Sequence, residues 1–496
     1  MGNGEWGMGN LCNLRHLRTG IGNKNKFIIA LISTLISFSS APIAWASDPV
    51  CPAELKSEIE AIIDRPEFAR SRWGIAVENL ESDEVLYGRD REVFFIPAST
   101  VKLMTTAAAL EELGPNYRIR TSIYSDDNET VYIVGRGDPS LTDIQLQELA
   151  KQLRDRGISQ IETLVAEDGY FPGFIVNQNW EWEDVQAGYG APVNSLILHQ
   201  NSLDLMLWPE AAVGRSLRVT WVRPEQGIGW EIDNRTRTVA KGDREFVEIG
   251  REFTRPVIRV AGQLRVGSEP EPVYAAVVEP AENFLQGFKT ILKREGIVVN
   301  TARVDNYSPH SEPEIAAVES PPLSELIKIV NLESNNVFTE AVLKTLGVQM
   351  PTTDATEAGL EQVRSHLTAL GVDPGGYALA DGSGLSRHNL VSPQTLIETL
   401  RGMAASPQAA IYRESLPVAG VSGTLKGRFR DSAAVGRVWA KTGTLTGVSA
   451  LAGYVEPADY SPLAFAIIVN QSNLQTGELR DAIDAIVLLL TRLQSC

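Results

Sequence analysis

The sequence predicts an α/β fold interrupted by a large, mostly β segment. Three observations carry this. An apolar helix starts at Pro97. Two apolar strands, 448–455 and 463–470, and a helix at 479–493 close the chain. Short alternating runs broken by charged turns fill the stretch from Asn201 to about Glu279. The 496 residues, 43% hydrophobic and 22% charged, are enough for two or three globular domains. A formal net charge of −17 argues against nucleic acid as a partner, because phosphates need basic surface. With five His and three Cys, a His/Cys metal site has little to draw on.

Residues 1–46 read as a signal peptide. Arg15, Arg18, Lys24 and Lys26 form a basic n-region, Phe27 to Phe38 an apolar core, and Ala44-Trp45-Ala46 a small-x-small cleavage site. The apolar run is short for a membrane span, so cleavage rather than an uncleaved anchor is expected, with no stable membrane anchor afterwards. Cleavage removes four positive charges and Glu5, leaving −17 − 3 = −20. It also removes Cys12. Cys51 and Cys496 then remain at the two ends of the mature chain, and in an oxidising compartment they are expected to pair.

Leu55, Ile59, Ile62 and Ile63 recur at helical spacing in 52–64. Strands follow at 73–80 and 84–87 across Glu81-Ser82-Asp83. The Pro97 helix stops near Leu113-Gly114. A hairpin is expected at 119–125 and 131–135 around Asp126-Asp127-Asn128, then a turn-rich loop at 135–139, a helix at 143–156 and a strand at 163–166. Beyond the alternating stretch come a helix at 284–294 and a strand at 297–299. Helices are expected at 323–329, 357–370 and 393–403, with a tight loop at 380–386.

The chemistry gathers in three motifs. Ser99 and Lys102 are three apart on the Pro97 helix, so a hydroxyl and an amine share one face. That arrangement activates a serine without histidine. Ser334-Asn335-Asn336 is the second motif. Lys441-Thr442-Gly443-Thr444 is the third, on a strand, where the lysine can face a carboxylate, the threonine can bond it, and the glycine lets a ligand backbone run alongside. Each alone has a plain structural reading as a helix cap, a capping turn or a solvated strand end. Their joint order does not.

Ser-x-x-Lys, Ser-x-Asn and Lys-Thr-Gly in this order resemble the penicillin-recognising acyl-serine enzymes. The 334 − 99 = 235 residues between the first two serines leave room for an insertion. That layout resembles the class C low-molecular-mass penicillin-binding proteins, the D-alanyl-D-alanine carboxypeptidase/endopeptidase family. Local stretches agree, at Gly135 to Thr142, Tyr189 to Val193, Asp381 to Asn389, and Gly423 to Lys426. The resemblance implies a transpeptidase-like, β-lactamase-like domain from 47–116 and 306–496. Its antiparallel sheet would carry Lys441 on an inner strand with the Ser99 helix packed against it. Residues 117–305 would be inserted, with a nested β lobe at about 201–279.

The resemblance also implies roles. Ser99 attacks the D-Ala–D-Ala carbonyl and Lys102 takes its proton, its pKa lowered by burial and by Lys441. Ser334 relays a proton to the leaving amine, and Asn336 bonds the substrate amide. Lys441, Thr442, Gly443 and Thr444 receive the substrate carboxylate, and the N–H groups of Ser99 and Thr444 form an oxyanion hole. Asp138 and Arg387 would meet the two ends of a diaminopimelate side chain. His388 reads as loop structure. No cofactor is implied; the partners are peptidoglycan peptides and β-lactams, and the location is periplasmic. Two alternatives are a β-lactamase and a catalytically silent wall-binding scaffold. Class A β-lactamases carry Glu-x-x-x-Asn between the second and third motifs, and none lies between Asn336 and Lys441.

Overall fold

The computed structural model describes residues 48–125, 129–252 and 254–496. The expected signal peptide at 1–46 and the expected turn at 126–128 fall outside these residues. Among the described residues no helix is long and apolar enough to cross a membrane.

A five-stranded antiparallel sheet organises the two ends of the chain. Its order is Val438–Leu445, Val448–Val455, Leu463–Asn470, Arg72–Asn79, Val85–Arg89. Strands 448–455 and 463–470 are buried along their whole length, which explains their unbroken apolar sequence. One face presents Ile75, Val77, Leu451, Phe465, Ile467 and Val469 to helices Pro52–Ile63 and Thr476–Leu490. The other presents Ala76, Ala450, Ala452, Ala464 and Ala466, small residues that let the helix Pro393–Ala405 lie directly on it. The helix Val101–Leu113 joins the same core, packed among the surrounding helices. The helix is buried from Val101 through Leu110, which fits its lack of a polar stripe.

The Val438–Leu445 strand stands at the edge of the sheet, not inside it as expected. Its outer backbone is partly covered: Ala440 N–H donates to Pro417 O (2.9 Å), and Ala419 N–H donates to Val438 O (3.0 Å). Strand alternation then turns the backbone groups of Thr442 and Thr444 to the same outer edge.

A second five-stranded sheet has the order Val298–Asn306, Gln160–Asp168, Thr130–Val134, Arg120–Tyr124, Glu314–Glu319. Helices Asp143–Asp155 and Pro280–Arg294 pack on it around Leu149, Leu164, Phe284 and Phe288. This sheet runs past residue 305, because Glu314–Glu319 pairs with Arg120–Tyr124. Two three-stranded sheets, drawn from Ser202 to Ala276, enclose a smaller core that includes Leu205, Leu207, Ile258 and Val260. Cys51 and Cys496 form a disulfide (Cα–Cα 5.8 Å) that ties the first described helix to the chain's end.

Candidate active site

Ser99 lies in the 3-10 turn Ala98–Thr100, which leads directly into Val101–Leu113. The turn is held from both sides by glycines. Ala98 has φ +49°, an unusual backbone for a residue with a side chain. A Cβ on Gly384 would stand 1.9 Å from Ala98 O, and one on Gly443 would stand 2.7 Å from Pro97 O. The nucleophile's own turn thus packs on Gly443 and requires a small residue there. Ser99 itself is half-buried.

Lys102 is completely buried one turn along. Its Nζ donates to Asn336 Oδ1 (2.7 Å) and to the Ser383 carbonyl (2.6 Å), and it stands 3.0 Å from Ser99 Oγ. The first two atoms can only accept; the hydroxyl can also donate. A neutral amine satisfies all three by giving two N–H groups to the acceptors and its lone pair to the Ser99 hydroxyl. Burial lowers the Lys102 pKa to about 7, against the opposing pull of Asp381 and Glu340.

Ser334 sits between helices Leu323–Leu332 and Asn336–Gly347 with φ +59°. Asn335 caps the second helix by accepting from Phe338 N–H (3.1 Å). With the cap supplied by Asn335, Ser334 and Asn336 are left to face the crevice. Asn336 Nδ2 donates to the Tyr189 carbonyl (3.0 Å), so its amide bridges Lys102 and residue 189. Lys441, also completely buried, donates to Ser334 Oγ (2.8 Å) and to Thr442 O (2.9 Å). Burial and then the Lys102 charge push its pKa well down. The repulsion between the two lysines thus weighs on Lys441, whereas burial is what lowers Lys102.

The Thr442 hydroxyl donates to Thr424 Oγ1 (2.8 Å) at the rim, and Arg480 donates to Thr444 Oγ1 (3.4 Å). The three motifs meet in one crevice. Asp138 and Arg387 are placed differently. Asp138 is buried, and its Oδ1 accepts from the N–H (2.8 Å) and hydroxyl (2.6 Å) of Ser140, two residues on. Both bonds stay within its own turn, and Asp138 Oδ2 is buried with no hydrogen-bond partner among the described residues. The guanidinium of Arg387 pairs with Glu181 (3.2 Å), close enough to Asp184 to favour that carboxylate's charge. Tyr189 OH also donates to Asp184 Oδ1 (3.0 Å). The acidic neighbours of Arg387 are therefore Glu181 and Asp184.

Reading by motif passed over two buried carboxylates. Glu340 Oε1 accepts from the N–H groups of Gly382 (3.1 Å) and Ser383 (2.8 Å), and burial raises its pKa to about 8. Asp381 is the other, buried at the start of the same loop. One signal was available. Asn336, Glu340 and Lys344 are spaced four apart in an otherwise apolar helix, so they form one polar stripe. Lys344 Nζ ends that stripe by donating to Phe174 O (2.7 Å).

The model of the D-Ala-D-Ala carboxypeptidase 3 (S13) family matches residues 55–493. A D-alanyl-D-alanine carboxypeptidase of Actinomadura sp. (strain R39) is 34% identical over 439 residues, 84% of this chain and 81% of that relative. Penicillin-sensitive carboxypeptidase A of Dictyostelium discoideum is 28% identical, covering 85% of this chain and 87% of its own. Among solved structures, penicillin binding protein 4 (dacB) of Haemophilus influenzae superposes with a TM-score of 0.73 at 24% identity. It covers 89% of this chain and 98% of that one, and it has also been solved with a β-lactam.

Proposed function

Because the chain belongs to the D-Ala-D-Ala carboxypeptidase 3 (S13) family, we propose that it cleaves D-alanyl-D-alanine termini and cross-links of peptidoglycan peptides through an acyl-serine at Ser99. It is a hydrolase of the serine carboxypeptidase class. The observation that carries the site assignment is the setting of Lys102 Nζ, bonded to two acceptor-only atoms and 3.0 Å from Ser99 Oγ.

The reaction follows from that geometry. Neutral Lys102 accepts the hydroxyl proton as Ser99 Oγ bonds to the carbonyl carbon. The developing oxyanion is met by backbone N–H groups of Ser99 and Thr444, the latter on the open strand edge; each such donor is worth about 3 kcal/mol. Lys441 holds Ser334 Oγ, which passes a proton to the leaving amine. The C-terminal carboxylate of the substrate approaches Lys441 and favours its ammonium form. That charge in turn discourages a proton on Lys102, so binding itself prepares the base. Water then cleaves the acyl-enzyme. A diaminopimelate side chain, with an ammonium and a carboxylate at its end, suits a rim holding Glu181, Asp184 and Arg387.

The same serine is acylated by penicillins. The family match and the missing Glu-x-x-x-Asn favour a stable adduct over β-lactamase turnover, and the bonded triplet of motifs argues against a silent scaffold. We place the enzyme in the periplasm, on the strength of the leader-like residues 1–46 and a disulfide suited to an oxidising compartment. In the same reading the insertion runs from about residue 117 to Glu319, since its sheet includes Glu314–Glu319. Labelling with a fluorescent penicillin tests the site: a lasting label is expected on the wild type and none on Ser99→Ala. A label that decays within a turnover would favour the β-lactamase. Mass spectrometry of muropeptides after digestion of isolated peptidoglycan reads out terminal and cross-link cleavage.

A further inference from the structure

Residues 177–180 of the inserted segment lie along the loop that supports Lys102. Three hydrogen bonds join the two stretches. Asn177 Nδ2 donates to Ala380 O (2.8 Å), Ser386 Oγ donates to Asn179 O (3.0 Å), and Trp180 Nε1 donates to Asp381 Oδ2 (2.8 Å). The Trp180 ring packs with Ala98, Leu385, Leu445 and Val448, beside the nucleophile's turn.

Asp381 is completely buried. Its Oδ1 accepts from Gly384 N–H (2.7 Å) and Asn389 Nδ2 (2.8 Å), and its Oδ2 from Ser386 N–H (2.6 Å) as well as from Trp180. Three of these four donors belong to the loop that Asp381 itself begins. Trp180 is the fourth, and it comes from 201 positions away. A buried carboxylate gathers loop N–H groups only where its own position is fixed, and the indole supplies an outside anchor. The loop so fixed points the Ser383 carbonyl at Lys102 Nζ and lays Gly384 against Ala98.

We propose that Trp180 is a positioning residue of the reaction: its indole N–H, through Asp381, aims the Ser383 carbonyl at Lys102 and thereby orients the general base. The inserted segment is thus part of the catalytic apparatus and not only an appendage. This rests on Lys102 acting as the base for Ser99. Lys102 is faced by Glu340 from the helix at 336–347, by Asp381 from the loop and by Lys441 from the edge strand. A carbonyl that accepts from the amine favours its charged form. When the carbonyl swings away, Lys102 releases its proton more readily, yet its lone pair is no longer aimed.

The test is the rate of acylation by a chromogenic β-lactam as a function of pH, for wild type, Trp180→Phe, and a protein with benzothienylalanine at position 180. The last keeps the bicyclic ring and removes only the N–H. Both replacements are expected to slow acylation roughly tenfold to a hundredfold and to move the acid limb of the profile to lower pH. If the benzothienylalanine protein acylates at the wild-type rate with an unmoved limb, the proposal fails, whatever Trp180→Phe does. A loss confined to Trp180→Phe would then mean packing alone. If Ser99→Ala acylates as fast as wild type, the Ser99–Lys102 reading beneath the proposal is overturned instead.

Discussion

Lys102 and Asp138 are both stripped of water, and burial drives both toward their neutral forms, Lys102 down to about 7 and Asp138 up to about 6. Their surroundings differ. Lys102 is gripped by groups 234 and 281 positions away, each closing a contact between separate segments. Asp138 is held by Ser140, two positions on, and its Oδ2 is buried with no hydrogen-bond partner among the described residues. Burial by itself does not distinguish the two. What sets Lys102 apart is that distant parts of the fold commit their bonding capacity to its orientation, and that its third neighbour is a hydroxyl able to give up a proton.

Lys102→Met should separate the two residues most sharply. Acylation of Ser99 is expected to fall about a thousandfold or more, since the base is gone. Stability moves in a direction fixed by the pKa. Between pH 7 and about 10 the unfolded chain binds more protons at Lys102 than the folded one does. Wild type therefore gains stability relative to Lys102→Met as pH rises through that window, and below it the burial cost is fully present. Thermal melts of both proteins at pH 6, 8 and 10 read this out; parallel curves would refute it.

Gly384→Ala comes next. Gly384 has φ +79°, and its added Cβ would fall 1.9 Å from Ala98 O, so the turn carrying Ser99 must move. The backbone angle alone costs about 1–3 kcal/mol, and a shift of the nucleophile near 1 Å costs about a hundredfold in rate. A variant that melts lower but acylates at the wild-type rate would show that this contact does not position Ser99. Lys441→Met should be milder and selective. Substrates with a free C-terminal carboxylate are expected to lose roughly thirtyfold in kcat/KM, about 2 kcal/mol, and C-terminally amidated analogues less, since these lose only the hold on Ser334 Oγ. An equal loss for both would remove the carboxylate from Lys441's role.

Much of this was legible in the chain. Helical and strand periodicity located the Pro97 helix, the two C-terminal strands and the closing helix, because these are buried by one rule along their length. The motif triplet located the crevice, because proton transfer between a serine and a lysine restricts residue type and spacing. The edge position of Lys441 was not legible. Strand order depends on which segments meet across hundreds of residues, and the partial cover by Pro417 and Ala419 is a contact with a separate segment that the strand's own residues do not encode. The Pro97–Ser99 turn places a further constraint on Gly443, a contact that no local pattern encodes. Asp381 lies in a stretch that carries the resemblance, 381–389, but with no role attached to it, and Trp180 lacks any motif of its own. The Gly-Arg-Gly-Asp-Pro stretch, conversely, drew notice to Asp138, although a turn-forming Asp bonded to the residue two ahead writes the same signal.

The smallest effect on turnover is expected from Asp138→Asn, and it completes the contrast with Lys102. The amide keeps the oxygen that accepts from Ser140 and removes a charge that the site disfavours. The folded state holds its proton at Asp138 up to about pH 6, whereas an ordinary Asp gives it up near 4, so wild-type stability falls as pH rises between those values. The amide of the variant has no such proton to lose. The variant's advantage over wild type should therefore be absent below pH 4, grow through that window, and level off above pH 6 at about 3 kcal/mol. Hydrolysis of diaminopimelate-bearing peptides should stay within about twofold of wild type, as befits a side chain bonded only within its own turn. A large loss of that activity, with acylation by penicillin intact, would return Asp138 to the substrate's side-chain pocket and remove the distinction drawn between the two buried groups.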